Sequence, residues 1–346
     1  MINKNNKLVF LLVISVFLLA SVIGVSAVEI PTLRVSTWGG NYNNSYKLEV
    51  VKFEIDNNCK VEWVIGQNPE FLVKARNGQL DVCTINYQWA LQGETEGLWL
   101  KLDPNIVTNM KDLYPRAITS EYVLWKDIGE SPLVYNDKYI KEEPTSWNDL
   151  WNPEYKNRTV MKYFLNASTL ELAILLAEQN GGGIDNIEPG IKKIADLYNM
   201  GNLIGMPESS TRHQQLFEYE EAWIGALATG RLKQLWDNGM TQLKMVRPKE
   251  GTFSFQSSLA VNKLTKYPEL AQKFVNFAIS PECQENFIIN NLYAPTNTKT
   301  VIPEDFEYKD LIITGEEFDN LFVPDYEKMN AHKAEWAEMF DRLTTK

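Results

Sequence analysis

Leu33–Gly40 reads LRVSTWGG, and this stretch decides the fold. Apolar and polar residues alternate from Leu33 to Trp38 as in a half-buried strand, and Gly39-Gly40 ends it. Outward from that turn, Asn44–Asn57 carries Leu48, Val51 and Ile55 at helical spacing. Lys60–Ile65 reads as a second strand, Pro69–Arg76 as a helix and Leu80–Asn86 (LDVCTIN) as a third strand. Strands alternating with helices at this interval predict an α/β fold with a parallel sheet. Ligands of such sheets sit beyond the carboxyl ends of the strands. Those ends are Thr37-Trp38-Gly39-Gly40 and Asn86-Tyr87-Gln88-Trp89, so two tryptophans and a tyrosine are expected at one crevice.

A second α/β block starts near Ser131. Pro132–Tyr135 reads as a strand, and Ser146 as the N-cap of a short helix. Arg158–Tyr163 reads as a strand that leads through Asn166, Ser168 and Thr169 into an apolar helix reaching Ala177. Gly181-Gly182-Gly183 is a turn, because it follows a helix and no Lys-Ser/Thr comes after it. Ile191–Met200 and Gln214–Glu220 read as helices, Ala222–Leu227 and Ser257–Val261 as strands, and Pro268–Ile279 as an amphipathic helix.

The chain has 346 residues, enough for two domains, each with its own core. Its 45 acidic and 34 basic residues give a net charge of −11, which argues against nucleic acid as a partner. At the N-terminus Lys4 and Lys7 precede an apolar run that ends in Val25-Ser26-Ala27, the pattern of a secretory signal peptide. An uncleaved membrane anchor is the rival reading. Cleavage after Ala27 removes two lysines and takes the charge to −13. No cysteine follows the run before Cys59, so a lipid-bearing N-terminal cysteine is not expected. The expected location is periplasmic.

Nothing assembles into a catalytic constellation. The sequence lacks G-x-S-x-G, H-E-x-x-H and C-x-x-C. Its two histidines, His213 in a polar loop and His332 on a charged helix, read as surface residues. Too few histidines remain for a metal centre, and no cofactor is implied. Cys59 and Cys83 could pair after export, although spacing cannot establish the geometry. Trp38 and Trp89 stack on a ligand or pack between helix and sheet. Asn166, Ser168 and Thr169 cap their helix or offer donors to an anion.

The chain resembles the periplasmic solute-binding proteins of ABC importers, in the branch of the spermidine/putrescine binders. The segments that carry the likeness are LRVSTWGG, GLWLKLDP at Gly97–Pro104, and PTSWNDLWNPEYKNRTVM at Pro144–Met161. They continue with RPKEGTFSFQSSLAV at Arg247–Val261, YPELAQKFVNFAISPECQENF at Tyr267–Phe287 and NLYAPTNTK at Asn291–Lys299. The resemblance implies a two-lobed, type II-like periplasmic-binding-protein fold, with a hinge between two α/β lobes. Residues 28–130 plus 257–300 would form the first lobe, and 131–256 plus 301–346 the second. It further implies a monomer that closes on a small solute and docks on ABC permease subunits, with no catalysis.

Residue by residue, the likeness places Trp38 with Gly39 after the first strand, Tyr87 in the aromatic segment after the third, and Tyr293 before Pro295. Phe255 takes a tryptophan position, and Ala228 replaces an aromatic. The carboxylates of polyamine binders do not carry over: Leu165 and Ser168 stand where two acids open the long helix, and Ser257 replaces an aspartate. Without those acids a diamine loses charge-assisted hydrogen bonds of roughly 1.5–3 kcal/mol each. The substitutions point to a less cationic solute. Ser168, Thr169, Arg212 and Arg231 could meet a carboxylate, phosphate or phosphonate while Trp38 and Trp89 cover an apolar part. The expected ligand-binding set is thus Trp38, Gly39, Tyr87, Trp89, Ser168, Arg212, Phe255, Ser257 and Tyr293, with no metal ligands. The alternative to uptake is a periplasmic sensor lobe that binds a small molecule for a signalling partner.

Overall fold

In the computed structural model, which describes residues 30–319 and 323–345, β1 (Thr32–Thr37), β2 (Lys60–Ile65) and β3 (Val82–Asn86) form where the opening motif and its neighbours place them. Both β2 and β3 run parallel to β1. The expected signal segment, residues 1–27, lies outside the described residues. The first helical stretch departs from expectation. A short turn of helix, Asn41–Asn44, precedes the helix Lys47–Asp56, whose inward face carries Val50 and Phe53, with Tyr46 at its N-cap. Val51 and Ile55 are 52% and 73% exposed. Two apolar stripes compete on this helix, and the one bearing aromatic rings buries more surface.

The strand β4 (Trp99–Leu100) pairs with a later strand, and β5 (Val123–Ser131) is buried along its whole length. β5 escapes an alternation test because Lys126, Asp127 and Glu130 interrupt it. Each is neutralised inside the fold, Lys126 by Asp127 and Glu130 by Arg247. β11 (Phe253–Asn262) runs antiparallel between β3 and β5, and β12 (Ala294–Pro295) closes the far edge. The resulting sheet has the order β12-β5-β11-β3-β1-β2.

A second sheet is built from β6 (Leu133–Asn136), β7 (Thr159–Val160), β8 (Leu203–Gly205), β9 (Ile224–Ala226) and β10 (Leu243–Val246), in the order β10-β6-β9-β7-β8. Both sheets are mixed, since β11 in one and β6 in the other run antiparallel to their neighbours. The chain passes between sheets at Ser131–Leu133 and again between Val246 and Phe253. Ile313 and Phe318 pack into the core of the first sheet. The helix Tyr326–Thr344 lays Met329, Trp336 and Phe340 into the core of the second. Both sheets belong to one compact unit, Thr32–Lys346.

A buried polar bridge ties these passages together. The Tyr326 hydroxyl lies 3.1 Å from Glu171 Oε1 and 3.2 Å from Gln256 Oε1. One hydroxyl proton cannot serve two acceptors, so a protonated Glu171 completes the network. Burial pushes the Glu171 carboxyl up to about 8, against the opposing hydrogen bond from Tyr326. Cys59, Cys83 and Cys283 are all buried free thiols, so the Cys59–Cys83 bridge does not form.

Candidate functional site

The strand-end rule leads to a cavity of about 390 Å³ between loops of the two sheets. From the first sheet come Trp38 and Gly39 beyond β1, Asn86 at the end of β3, and Tyr42 from the turn after Gly40. Phe255 on β11 and Tyr293 before β12 complete that wall. From the second sheet come Lys162 and Tyr163 beyond β7, Ala226–Ala228 at the end of β9, and Arg231 in the helix Thr229–Asp237. His213 joins them from the helix Ser210–Glu218.

The aromatic wall is a packed set. The Trp38 and Tyr42 rings meet edge to face at 4.9 Å, Tyr42 and Tyr293 at 5.9 Å, and Phe255 and Tyr293 at 5.5 Å. Its backing is tight. A Cβ at Gly129 of β5 would sit 2.2 Å from the Phe255 ring and 2.9 Å from that of Tyr293. The Tyr42 hydroxyl donates to Asp127 behind it, at 3.1 Å.

The opposite wall is cationic. Lys162 is 9% exposed, and its Nζ donates to the Glu208 backbone carbonyl. Arg231 has Gln214 Oε1 as its side-chain partner, at 3.3 Å. Among the described residues neither cation has a carboxylate within ion-pairing distance. Burial, reinforced by Arg231, pulls the Lys162 amine down to about 8, and burial lowers Arg231 as well. His213 is not the surface residue its polar sequence suggests. It is 5% exposed, and its Nε2 lacks a partner among the described residues. Burial first, then Lys162 and Arg231, pull its imidazole down to about 3, so it stands neutral between two cations. The acids at the cavity, Glu70 and Glu208, are exposed at its rim.

Of the residues expected to bind ligand, Trp38, Gly39, Phe255 and Tyr293 come together here. Five others are placed elsewhere. The helix Tyr87–Thr95 starts directly at the end of β3 and turns its side chains away. Tyr87 packs against Trp125 and Tyr326, and Trp89 lies under the Lys333 ammonium, 4.6 Å from its ring centre. Ser168 spends its N–H and hydroxyl on Asn166 Oδ1, the cap of its helix. Arg212 is exposed and pairs with Glu221 at 3.3 Å. Ser257 is fully buried in β11, opposite Asn86 and Asp127. Lys162 and Tyr42 escaped the sequence reading. The sequence reading places Lys162 inside a strand, Arg158–Tyr163, whereas β7 ends at Val160 and leaves Lys162 beyond the strand end, as Trp38 lies beyond β1.

A family model described as bacterial extracellular solute-binding protein matches residues 50–311. The chain belongs to this family. Among curated solute-binding relatives, the spermidine/putrescine-binding periplasmic protein of Salmonella typhimurium is 25% identical over 219 residues, 60% of each chain. The γ-aminobutyric acid-binding protein of Pseudomonas aeruginosa is 26% identical over 226 residues, 64% of this chain and 63% of that one. The matched segments thus span under two thirds of these relatives. A crystal structure of an ABC transporter protein from Clostridium perfringens superposes with a TM-score of 0.71 at 24% identity, covering 90% of this chain and 100% of that one. The neighbours are two-lobed solute-binding proteins, so the two-lobed α/β fold expected from the sequence holds. No helix among the described residues is long and apolar enough to cross a membrane.

Proposed function

We propose that this solute-binding protein is an extracytoplasmic receptor that captures a small carboxylate-bearing solute and presents it to the permease of an ABC importer. One observation carries this reading: Lys162 and Arg231 line the cavity without a carboxylate partner among the described residues. A buried cation without a counter-charge is costly, and a ligand carboxylate relieves that cost. The aromatic wall of Trp38, Tyr42, Phe255 and Tyr293 would cover the carbon chain and any ammonium at its other end. Kinship to a γ-aminobutyrate binder fits, because that solute carries a carboxylate.

The ligand would touch loops of both sheets only when the lobes are closed around it, so binding favours closure. The closed form is the state presented to the permease. Calorimetric titration at pH 7 with γ-aminobutyrate, glutarate and putrescine tests the reading. Both carboxylates should bind and putrescine should not. Putrescine as the tightest of the three sinks it.

A further inference from the structure

A second cavity of about 330 Å³ adjoins the first. Trp38, Gly39, Gln67, Arg231 and Gln234 line both and form a common wall. Cavities of ~300–1,000 Å³ hold drug-sized ligands, and a four-carbon amino acid leaves most of this combined space unfilled. The solute therefore has room to extend past Arg231.

The chemistry of the far chamber is unlike that of the near one. Its polar lining is dominated by side-chain amides: Gln67, Gln214, Gln215, Gln234 and Asn238. The Gln214 oxygen accepts from Arg231, and the Gln67 side chain accepts from the Glu70 backbone N–H, which leaves both NH₂ groups as donors. Gln234 Oε1 is buried and has no partner among the described residues, so it is an acceptor in want of a donor. Donors and acceptors without net charge match hydroxyls, which both donate and accept. An alkyl arm would strand these amides, and a second carboxylate would meet Glu218 in the same lining. The Trp38 ring, shared by both chambers, offers a flat face to the C–H side of such an arm.

We infer that the second cavity is a subsite for an uncharged, hydroxyl-bearing arm of the solute whose carboxylate meets Lys162 and Arg231. This inference rests on the carboxylate reading above. The test compares two six-carbon monocarboxylates, hexanoate and gluconate, by calorimetry on the full-length exported protein. A matched amine pair, hexylamine and glucamine, is measured alongside. Wild type should prefer gluconate over hexanoate by about tenfold or more, and Gln234→Leu and Gln214→Leu should each collapse that ratio. Melting curves of both variants establish that they remain folded. Equal or weaker binding of gluconate overturns the subsite, as does a ratio unchanged in both variants. If only the amines bind, the carboxylate reading fails. The glucamine-to-hexylamine ratio then judges the hydroxyl subsite alone, and a ratio near one overturns it.

Discussion

Lys126 on β5 of the first sheet and Lys162 beyond β7 of the second are both buried, and the two are treated in opposite ways. Lys126 is fully buried in β5, its Nζ 2.6 Å from Asp127 Oδ2 and 2.9 Å from the centre of the Phe287 ring. Its charge is closed off by a carboxylate and an aromatic face within the fold. Lys162 is almost as buried and has no carboxylate within ion-pairing distance among the described residues, with Arg231 and neutral His213 beside it and Glu208 acting only from the exposed rim. A buried charge answered from within is architecture, whereas a buried charge left unanswered beside a cavity marks a place for something from outside.

Substitutions can break this contrast. The largest effect should come from Lys126→Met, which strands Asp127 in the core and should cost about 3–5 kcal/mol in denaturant unfolding. The double variant Lys126→Met/Asp127→Leu should recover most of that loss. If the single variant is as stable as wild type, the pair is not the closed unit described here. Next in size, Arg231→Ala should weaken carboxylate binding by about 10- to 150-fold, as expected for a lost charge-assisted hydrogen bond. Its melting temperature should hold or rise, since an unpaired cation has left the cavity. A large fall in stability with unchanged affinity would make Arg231 architectural.

A smaller effect separates the two lysines by pH. Lys162 loses its proton near pH 8 in the free protein, and a bound carboxylate favours the protonated form. Affinity should therefore be flat below that pH and fall as pH rises through it, by up to about tenfold per unit. Lys162→Met should abolish the dependence, and a wild-type profile that stays flat to pH 10 would contradict the assignment. The smallest effect belongs to the exposed pair Arg76–Glu96, joined at 2.7 Å. Glu96→Gln should change stability by less than about 1 kcal/mol, because solvent screens such pairs.

The parts of this molecule legible in its sequence are those where one local rule operates alone. β1 alternates and ends at Gly39-Gly40, so the strand and the cavity wall of Trp38 and Gly39 follow from the chain. Ser146 caps its helix as its spacing with Asp149 foretells. Illegible parts are those where tertiary pairing overrides the local pattern. β5 hides behind charges that are answered only in the fold, Lys126 by the adjacent Asp127 and Glu130 by Arg247, 117 residues away in sequence. Tyr87 and Trp89 follow a strand as Trp38 does, but a helix begins at once and carries them off the site. His213 looks solvated because its neighbours are polar, yet Gln214 beside it is buried too.

Gly129 is not among the residues that line the cavity of about 390 Å³, yet the rings of Phe255 and Tyr293 stand where they do because it lacks a side chain. The negative space of the site is moulded from behind. A relative could retain every residue that faces the ligand and still offer a different mould, through one methyl group on the hidden side of a strand. Resemblance in the lining is thus a poor guide to shared cargo, and the back of β5 holds information about selectivity that the front does not.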